Sequence, residues 1–379
     1  MIFADPALGR VWDALPDARI VGGAVRDSLA GHPVADFDLA TPLPPADVMA
    51  ALNRAGIKTV PTGLAHGTVT AVVDGQPFEI TTLRRDVETD GRHALVAFTS
   101  DWRQDASRRD FTINAMSMTR DGTVFDYFGG RTDLDAGRVR FVGDPATRIA
   151  EDYLRVLRFF RFQARYGRTT PDYATLLALR DGIPGLGRLS VERVWHELRR
   201  ILVAPDPAEA IGLMRTLGIW RAVAPEAAAD ANLAVLPADP VLRLAALLSS
   251  DPLELATRLK LSNEDRYRLV RLAATPPVRG SDADLRRLLA DRLPRDLIDR
   301  TWLDADEAAR QRLSAMKRPV FPLEGRDAVA LGVPPGPSVG ALLREVRQWW
   351  MDGGCVAKRM ACMTELARRA DIPKIDANR

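Results

Sequence analysis

The chain of 379 residues has few cysteines and histidines, and it lacks any long hydrophobic run. Its two cysteines, Cys355 and Cys362, have the spacing of neither a disulfide framework nor a zinc site, which is typical of a reducing compartment. No window approaches the roughly 18 consecutive apolar residues of a membrane span, so we expect no integral membrane protein. No basic segment precedes an apolar run at the N-terminus, and we therefore expect a cytoplasmic protein.

Lysine is also scarce, because 48 of the 53 basic residues are arginine. Against 50 acidic residues the net charge is only +3, although the isoelectric point is about 9.0. The planar guanidinium suits phosphates and base edges. A GC-rich coding bias would enrich arginine as well. The charge balance therefore permits a nucleic-acid partner without requiring one.

The chain changes character near Pro145. Before it, we expect strands at residues 19–21, a hairpin formed by 68–73 and 78–83, and a last short strand at 139–142. After it, apolar periodicity predicts helices nearly to the C-terminus. The expected helices span residues 151–166, 191–203, 207–217, 240–249, 263–273 and 340–351. The sequence thus predicts an α/β N-terminal part followed by an all-helical remainder.

Two motifs in the first part favour phosphate chemistry. The first is a strand that runs into Gly22 and Gly23 and then into a helix start, which exposes backbone N–H groups to an anion. Arg26, one turn further on, adds a charged fork that suits a triphosphate. The second is Asp36-Phe37-Asp38, because two carboxylates on one side of a strand are what Mg²⁺ needs. A structural glycine turn and a chance Asp-x-Asp remain the alternatives.

Further polar residues extend this pattern. Alternation in the hairpin strand places Glu79 where it could join the aspartates as a third carboxylate, although a solvated strand residue is the alternative. Arg109 and Asp110, which follow Arg108, combine donors for phosphate with an acceptor for a ribose hydroxyl. A plain helix start with charges in its first turn would look similar.

The segment 151–161 has polar side chains every third position among bulky apolar ones. On a helix Asp152, Arg155 and Arg158 share a broad face, and Arg161 has moved around the axis. An acceptor beside a donor can pair with the N3 and N4 edge of cytosine or the N1 and N6 edge of adenine. An intrahelical ion pair between Asp152 and Arg155 is the alternative.

Together these motifs resemble the class II tRNA nucleotidyltransferase and bacterial poly(A) polymerase family of the polymerase-β superfamily. The matching segments are Gly-Gly-x-Val-Arg-Asp at 22–27, Asp-x-Asp at 36–38, His-Gly-Thr-Val at 66–69, Glu-Ile-Thr-Thr-Leu-Arg at 79–84, Arg-Arg-Asp-Phe-Thr-x-Asn-Ala at 108–115, Asp126 with Gly129-Gly130, and Glu-Asp-x-x-Arg-x-x-Arg at 151–158. The resemblance is dense over residues 18–205 and thinner beyond.

The resemblance implies an α+β nucleotidyltransferase head with a small mixed sheet at residues 1–143. A helical neck at 144–205 would carry the nucleotide template, and a helical body and tail at 206–379 would bind tRNA. It also implies Mg²⁺ held by Asp36 and Asp38, with Glu79 as a third catalytic carboxylate.

The resemblance further implies nucleotide contacts in two groups. The turn and the motif after it, Gly22, Gly23, Arg26 and Arg109, would contact the nucleotide, and Asp110 its ribose. Asp152 and Arg155 would serve as a protein template for CTP and ATP, while Arg158 and Arg161 would hold phosphates or the template. Residues 84–107 would form the loop that helps to switch from C to A addition.

Within the family the chain is more similar to the CCA-adding members than to the poly(A) polymerases. Residues 61–68 and 90–93 are of the CCA type, and the Arg-Arg-Phe run that follows a glycine in the poly(A) polymerases is missing. None of the four histidines precedes an aspartate, so we expect no HD phosphohydrolase domain. The expected activity is CCA addition to tRNA 3′ ends without a nucleic-acid template and with release of pyrophosphate. Poly(A), CC-only or A-only addition is the alternative, and a catalytically dead RNA-binding protein is a further one. No protein partner is implied.

Overall fold

A mixed β-sheet organises the N-terminal part of the chain. The structure, a computed structural model, describes residues 5–34, 36–89 and 94–370. Within them the strands are β1 (Arg19–Val21), β2 (Asp38–Thr41), β3 (Lys58–Gly63), β4 (Thr68–Val73), β5 (Gln76–Thr82), β6 (Arg84–Thr89), β7 (Ala94–Phe98), β8 (Ser117–Met118) and β9 (Val124–Phe125). Seven of these described strands form one sheet in the order β3-β4-β5-β2-β1-β8-β9, and β6 pairs separately with β7. Only β2 and β5 run parallel, so the sheet is mixed as expected.

The predicted hairpin is present as β4 and β5. Asp74 and Gly75 turn the chain with φ angles of 52° and 84°, the positive values that a type I′ turn needs. In β5 the side chains of Phe78 and Ile80 are buried, while Glu79 between them is exposed. Strict alternation therefore fixes the register and keeps the carboxylate on the solvent side of the sheet.

Helices account for most of the rest of the described chain. They are α1 (Pro6–Ala14), α2 (Gly23–Leu29), α3 (Pro45–Arg54), α4 (Trp102–Ser107), α5 (Gly130–Ala136), α6 (Pro145–Glu151), α7 (Leu154–Tyr166), α8 (Tyr173–Asp181), α9 (Ile183–Leu186), α10 (Val191–Leu202), α11 (Ala208–Thr216), α12 (Ile219–Val223), α13 (Pro240–Leu247), α14 (Pro252–Arg258), α15 (Asn263–Ala274), α16 (Asp282–Asp291), α17 (Pro294–Leu303), α18 (Glu307–Ala315), α19 (Gly325–Ala330), α20 (Pro337–Asp352) and α21 (Arg359–Arg369). The helices predicted after residue 190 are confirmed with small shifts of their ends.

The strand expected at residues 139–142 is wrong. Phe141 makes only an isolated bridge to Phe111. The two rings lie 4.7 Å apart between centroids, and Phe159 of α7 is 5.9 Å from Phe141. The apolar residues that suggested a strand therefore pack as part of an aromatic cluster beneath α7.

The single helix expected at residues 151–166 is interrupted. α6 ends at Glu151, Asp152 is extended with φ −154° and ψ 108°, and α7 begins at Leu154. The Asp152 carboxylate accepts a hydrogen bond from the Leu154 amide at 3.0 Å. Such a side-chain acceptor competes with the helical hydrogen-bond pattern and starts a new helix. Asp152 therefore lies between two helices rather than on one.

By their internal contacts the residues fall into two compact units. One comprises residues 1–228, 232–234 and 257–260, and the other comprises 229–231, 235–256 and 261–379. The second unit has an apolar core that includes Val346, Trp350, Cys362 and Leu366. Both cysteines are free and buried. Among the described residues, no helix has the length and hydropathy required to cross a bilayer.

Candidate active site

Three carboxylates lie together where β2 runs parallel to β5. Asp38 is the first residue of β2 and is directly paired in register with Glu79 of β5. Asp36 precedes the strand, so only one aspartate lies on it and not both as expected. The Phe37 ring packs against the buried Phe78 ring, with 6.4 Å between their centroids. This contact anchors the Asp-x-Asp segment while the three carboxylates remain exposed.

The carboxylates repel one another. Partial desolvation by the surrounding protein and the nearby charge of Glu79 raise the pKa of Asp38, the charge of Arg109 lowers it, and that of Asp36 adds to the rise. A hard divalent cation relieves such repulsion, and carboxylate oxygens are its preferred ligands. In the part of the chain that the structure describes, no three His, Cys, Asp or Glu side chains enclose a metal position. The oxygen donors therefore fit Mg²⁺ by type and not by a completed ligand geometry.

The glycine turn presents a more limited anion site than expected. Gly22 has φ +66°, a backbone conformation that side chains disfavour, and a Cβ there would lie 3.4 Å from Nη1 of Arg109. Its amide donates to the carbonyl of Met116 at 3.2 Å. The Gly22 amide is therefore not one of the backbone N–H groups that the turn could offer to an anion. Gly23, the first residue of α2, remains partly exposed in the cleft.

A chain of hydrogen bonds joins α2 to α7. Nη1 of Arg26 donates to Oδ1 of Asn114 at 2.5 Å, and its Nε and Nη2 donate to Asp27 at 3.1 and 3.0 Å. Nδ2 of Asn114 donates to Asp110 at 3.0 Å, and Nε of Arg158 donates to Asp110 at 2.7 Å. Arg26 and Arg158 are thus held in place from both ends of one network.

The network leaves Asp110 ionised and fully engaged. Burial would raise its pKa, but the charge of Arg158 and the hydrogen bonds from Asn114, Arg158 and the Phe111 amide lower the pKa below the ordinary value. One carboxylate oxygen accepts from Asn114 and Phe111 and the other from Arg158. A ribose hydroxyl bound by Asp110 would therefore share the carboxylate with these partners.

Asp105 holds the Arg-Arg pair. This buried side chain on α4 accepts from Arg108 at 2.9 and 3.0 Å and from Arg109 at 3.1 Å. Burial raises its pKa, but the charges of Arg109 and Arg108 lower it below the ordinary value. The Arg84 amide donates to the same carboxylate at 3.3 Å. Asp105 therefore links the start of β6 to Arg109. Residues 90–93, which were expected to be of the CCA type, lie outside the described residues.

Asp152 and Arg155 do not pair with each other as an intrahelical ion pair would. Asp152 accepts from Nη2 of Arg193 on α10 at 2.7 Å. Arg155 donates to Glu151 and, at 2.7 Å, to the carbonyl of Arg148. The acceptor and the donor of the expected template are thus each held by a separate partner.

A second buried ion pair on α7 involves Arg161, which lies one turn beyond Arg158. Nη1 of Arg161 donates to Glu197 of α10 at 3.2 Å, and Glu197 is only 2% exposed. Burial, opposed by Glu197 and supported by the like charges of Arg158 and Arg200, lowers the pKa of Arg161 to about 10. Arg161 still carries its charge near neutral pH and is fixed against α10.

These side chains line one cleft of about 900 Å³. Of the predicted site residues it brings together Gly22, Gly23, Arg26, Asp36, Asp38, Arg109, Asp110, Asp152, Arg155, Arg158 and Arg161. Glu79 is not among the lining residues and reaches the site only beside Asp38. Carboxylates at one place and many guanidinium groups around them suit a bound polyphosphate near a divalent cation.

Several residues that line the cleft or hold its charged side chains were missed from the sequence. Asp105 lies three and four residues before the Arg-Arg pair, and Arg193 and Glu197 lie four apart, which are helical spacings that can be recognised. No sequence signal marks Tyr166, which reaches Asp27 across 139 positions. Its contact exists only because the side chain at the end of α7 reaches α2.

Profiles of known families match two segments of the chain. A profile described as "Poly A polymerase head domain" matches residues 18–140, and one described as "Probable RNA and SrmB-binding site of polymerase A" matches residues 170–230. The Mus musculus protein named "CCA tRNA nucleotidyltransferase 1, mitochondrial" is 36% identical over 365 residues, which is 89% of this chain and 83% of that protein.

Bacterial proteins are similar as well. The CCA-adding enzyme of Geobacillus thermodenitrificans is 39% identical over 205 residues, covering 54% of this chain and 50% of that enzyme. The crystal structure of the Bacillus stearothermophilus CCA-adding enzyme in complex with CTP superposes with a TM-score of 0.80 at 28% identity, over 96% of this chain and 97% of that one.

Proposed function

The chain belongs to the CCA-adding enzyme family of nucleotidyltransferases, and from this premise we propose that it adds C, C and A to the 3′ end of tRNA. CTP and ATP supply the nucleotides, no nucleic-acid template is used, and pyrophosphate leaves. The observation that carries the proposal is the 36% identity with a CCA tRNA nucleotidyltransferase across 89% of the chain. The carboxylates and guanidinium groups of the cleft support the proposal, because they suit a triphosphate with a divalent cation.

We assign the transfer step to the three carboxylates beside the paired strands β2 and β5. Asp36 and Asp38 would hold Mg²⁺, since their oxygens are hard donors and their charges repel one another. A bound divalent ion supplies charge neutralisation at the triphosphate. Glu79, paired in register with Asp38, would take the proton from the attacking 3′-hydroxyl or complete the ligand set.

Nucleotide binding falls to the surrounding guanidinium groups. Arg26 and Arg109 are oriented by Asp27 and Asp105 and would bind the triphosphate. Gly23 would allow close approach of the nucleotide to the backbone, with Gly22 shaping the turn. Asp110 would accept a hydrogen bond from the ribose, and Arg158 and Arg161 would hold phosphates or the template.

Base selection would use Asp152 and Arg155. An acceptor beside a donor matches the edges of cytosine and adenine, whereas guanine and uracil would place a carbonyl against the carboxylate. Because Arg193 and Glu151 occupy these two side chains, base binding would exchange or share existing ion pairs. The existing ion pairs would keep the two side chains oriented when no nucleotide is bound.

The remaining assignments follow from the same family. Residues 1–143 would act as the head, 144–205 as the neck and 206–379 as the tRNA-binding body and tail. We propose a cytoplasmic location, because both cysteines are free, which is typical of a reducing compartment.

A tRNA that lacks its terminal CCA tests the function directly. Incubated with labelled CTP alone, the enzyme should add two residues and pause, and with CTP and ATP together it should add three and stop. A long tail from ATP alone would assign the chain to poly(A) polymerase. A stop after CC with both nucleotides present would assign it to a partial CC-adding enzyme.

A further inference from the structure

Tyr166 connects the two helices on either side of the nucleotide cleft. It is the last residue of α7 and is 8% exposed, and it lines the cleft. Its hydroxyl donates to Oδ1 of Asp27 on α2. Burial and this hydrogen bond raise the pKa of Tyr166, so the hydroxyl keeps the proton that it donates.

The same ring supports Arg26. The Arg26 guanidinium carbon lies 4.6 Å from the centroid of the Tyr166 ring and 5.0 Å from that of Phe162. Asp27, whose carboxylate Tyr166 holds, accepts two hydrogen bonds from Arg26. Tyr166 therefore contacts Arg26 directly through its ring and indirectly through its hydroxyl.

We propose that Tyr166 is the positioning residue that aims Arg26 at the nucleotide. The Tyr166 hydroxyl fixes Asp27, and Asp27 orients the Arg26 guanidinium. The Tyr166 ring lies against the same guanidinium. The inference rests on the proposed function, in which Arg26 binds the triphosphate. Tyr166 itself need not touch the substrate, and it lies on α7, whereas Arg26 lies on α2. The hydrogen bond between Tyr166 and Asp27 would hold the Arg26 guanidinium in place before the nucleotide binds.

The test compares Tyr166→Phe with Tyr173→Phe. Tyr173, on α8, is 79% exposed, so its hydroxyl serves as a matched control. We expect Tyr166→Phe to raise the Kd for CTP and for ATP about five- to tenfold, which is the net contribution of one ordinary hydrogen bond, because the lost bond acts on the nucleotide only through Asp27 and Arg26. Affinity for tRNA and Tm should stay near those of the wild type, and Tyr173→Phe should change none of these values.

Combination with Arg26→Ala separates positioning from a general structural role. If Tyr166 acts through Arg26, Tyr166→Phe should add less than twofold to the Kd of the Arg26→Ala variant. Multiplication of the two effects would overturn the proposal, and so would an unchanged Kd in Tyr166→Phe alone. A wild-type protein that binds CTP but adds no nucleotide to tRNA would refute the proposed function while leaving the Tyr166 comparison valid.

Discussion

Gly67 offers a sharp test of how the β6–β7 hairpin is attached to the sheet. It follows the 3₁₀ turn Leu64–His66 with φ +80°, and a Cβ there would lie 2.7 Å from Cε1 of Phe98. Phe98 is the last residue of β7 and is 48% exposed. Gly75, in the β4–β5 turn, has φ +84° but nothing within 4 Å of its Cβ position. The two glycines share the backbone requirement and differ in the neighbour.

The comparison gives a magnitude. Alanine in the left-handed region costs about 1–2 kcal/mol, and this cost applies to both Gly67→Ala and Gly75→Ala. Overpacking in a core costs about 1–3 kcal/mol, but the half-exposed Phe98 ring can move aside, so we take the lower limit of about 1 kcal/mol. Gly67→Ala should therefore lower the free energy of unfolding by about 1 kcal/mol more than Gly75→Ala.

Urea unfolding measures the stability difference, and single-nucleotide addition to tRNA measures its functional effect. Because Phe98 belongs to the segment 84–107, which we expect to switch from C to A addition, Gly67→Ala should slow A addition more than C addition. Gly75→Ala should leave the rate of A addition relative to C addition unchanged. The double variant Gly67→Ala with Phe98→Ala should recover the stability difference. Equal destabilisation by both glycine variants would refute the packing argument, and equal loss of C and A addition would refute the link to switching.

Three further predictions concern the carboxylates. Asp36→Asn or Asp38→Asn should reduce the rate of nucleotide transfer at least about a thousandfold, whereas tRNA affinity should stay within a few-fold. The reason is that these side chains are assigned to the metal and not to RNA. Retained nucleotide addition would contradict that assignment. Asp152→Ala should raise UTP and GTP incorporation relative to CTP and ATP by about tenfold, the discrimination of one base-edge contact, and an unchanged preference would show a purely structural role. Asp110→Asn should lower the free energy of unfolding by about 3 kcal/mol at pH 7 because Arg158 loses its charge partner. The pKa of Asp110 is lowered in the folded protein, so its stabilisation is present above its ordinary pKa of 3.8 and is lost as pH falls through the folded value. In urea unfolding, the difference in free energy of unfolding between the wild type and Asp110→Asn should therefore become smaller below about pH 4.

Local patterns were enough to predict elements whose partners are near in sequence. The β4–β5 hairpin followed from alternation around Asp74-Gly75, because both its turn and its register depend on adjacent residues. The helices of the C-terminal part followed from apolar periodicity for the same reason. The Asp-x-Asp, Arg-Arg-Asp and Glu-Asp-x-x-Arg motifs identified the residues that line the cleft, since these residue types in this order resemble one family.

The partners of the charged side chains were decided by tertiary structure alone. Asp152 is 41 positions from Arg193, and Tyr166 is 139 positions from Asp27. An i, i+3 spacing favoured Asp152 with Arg155, but the Asp152 side chain caps the next turn instead and leaves the helix. Residues 139–142 were apolar enough for a strand, yet no neighbouring strand was placed to pair with them along their length in the described structure. The sequence therefore determines which side chains can bind phosphate, metal and base edges. The packing of α7 against α10 and the side-chain contacts of α7 with α2 determine which of them are held and by what. Hydrogen bonds and ion pairs depend on distances in space that local patterns do not contain.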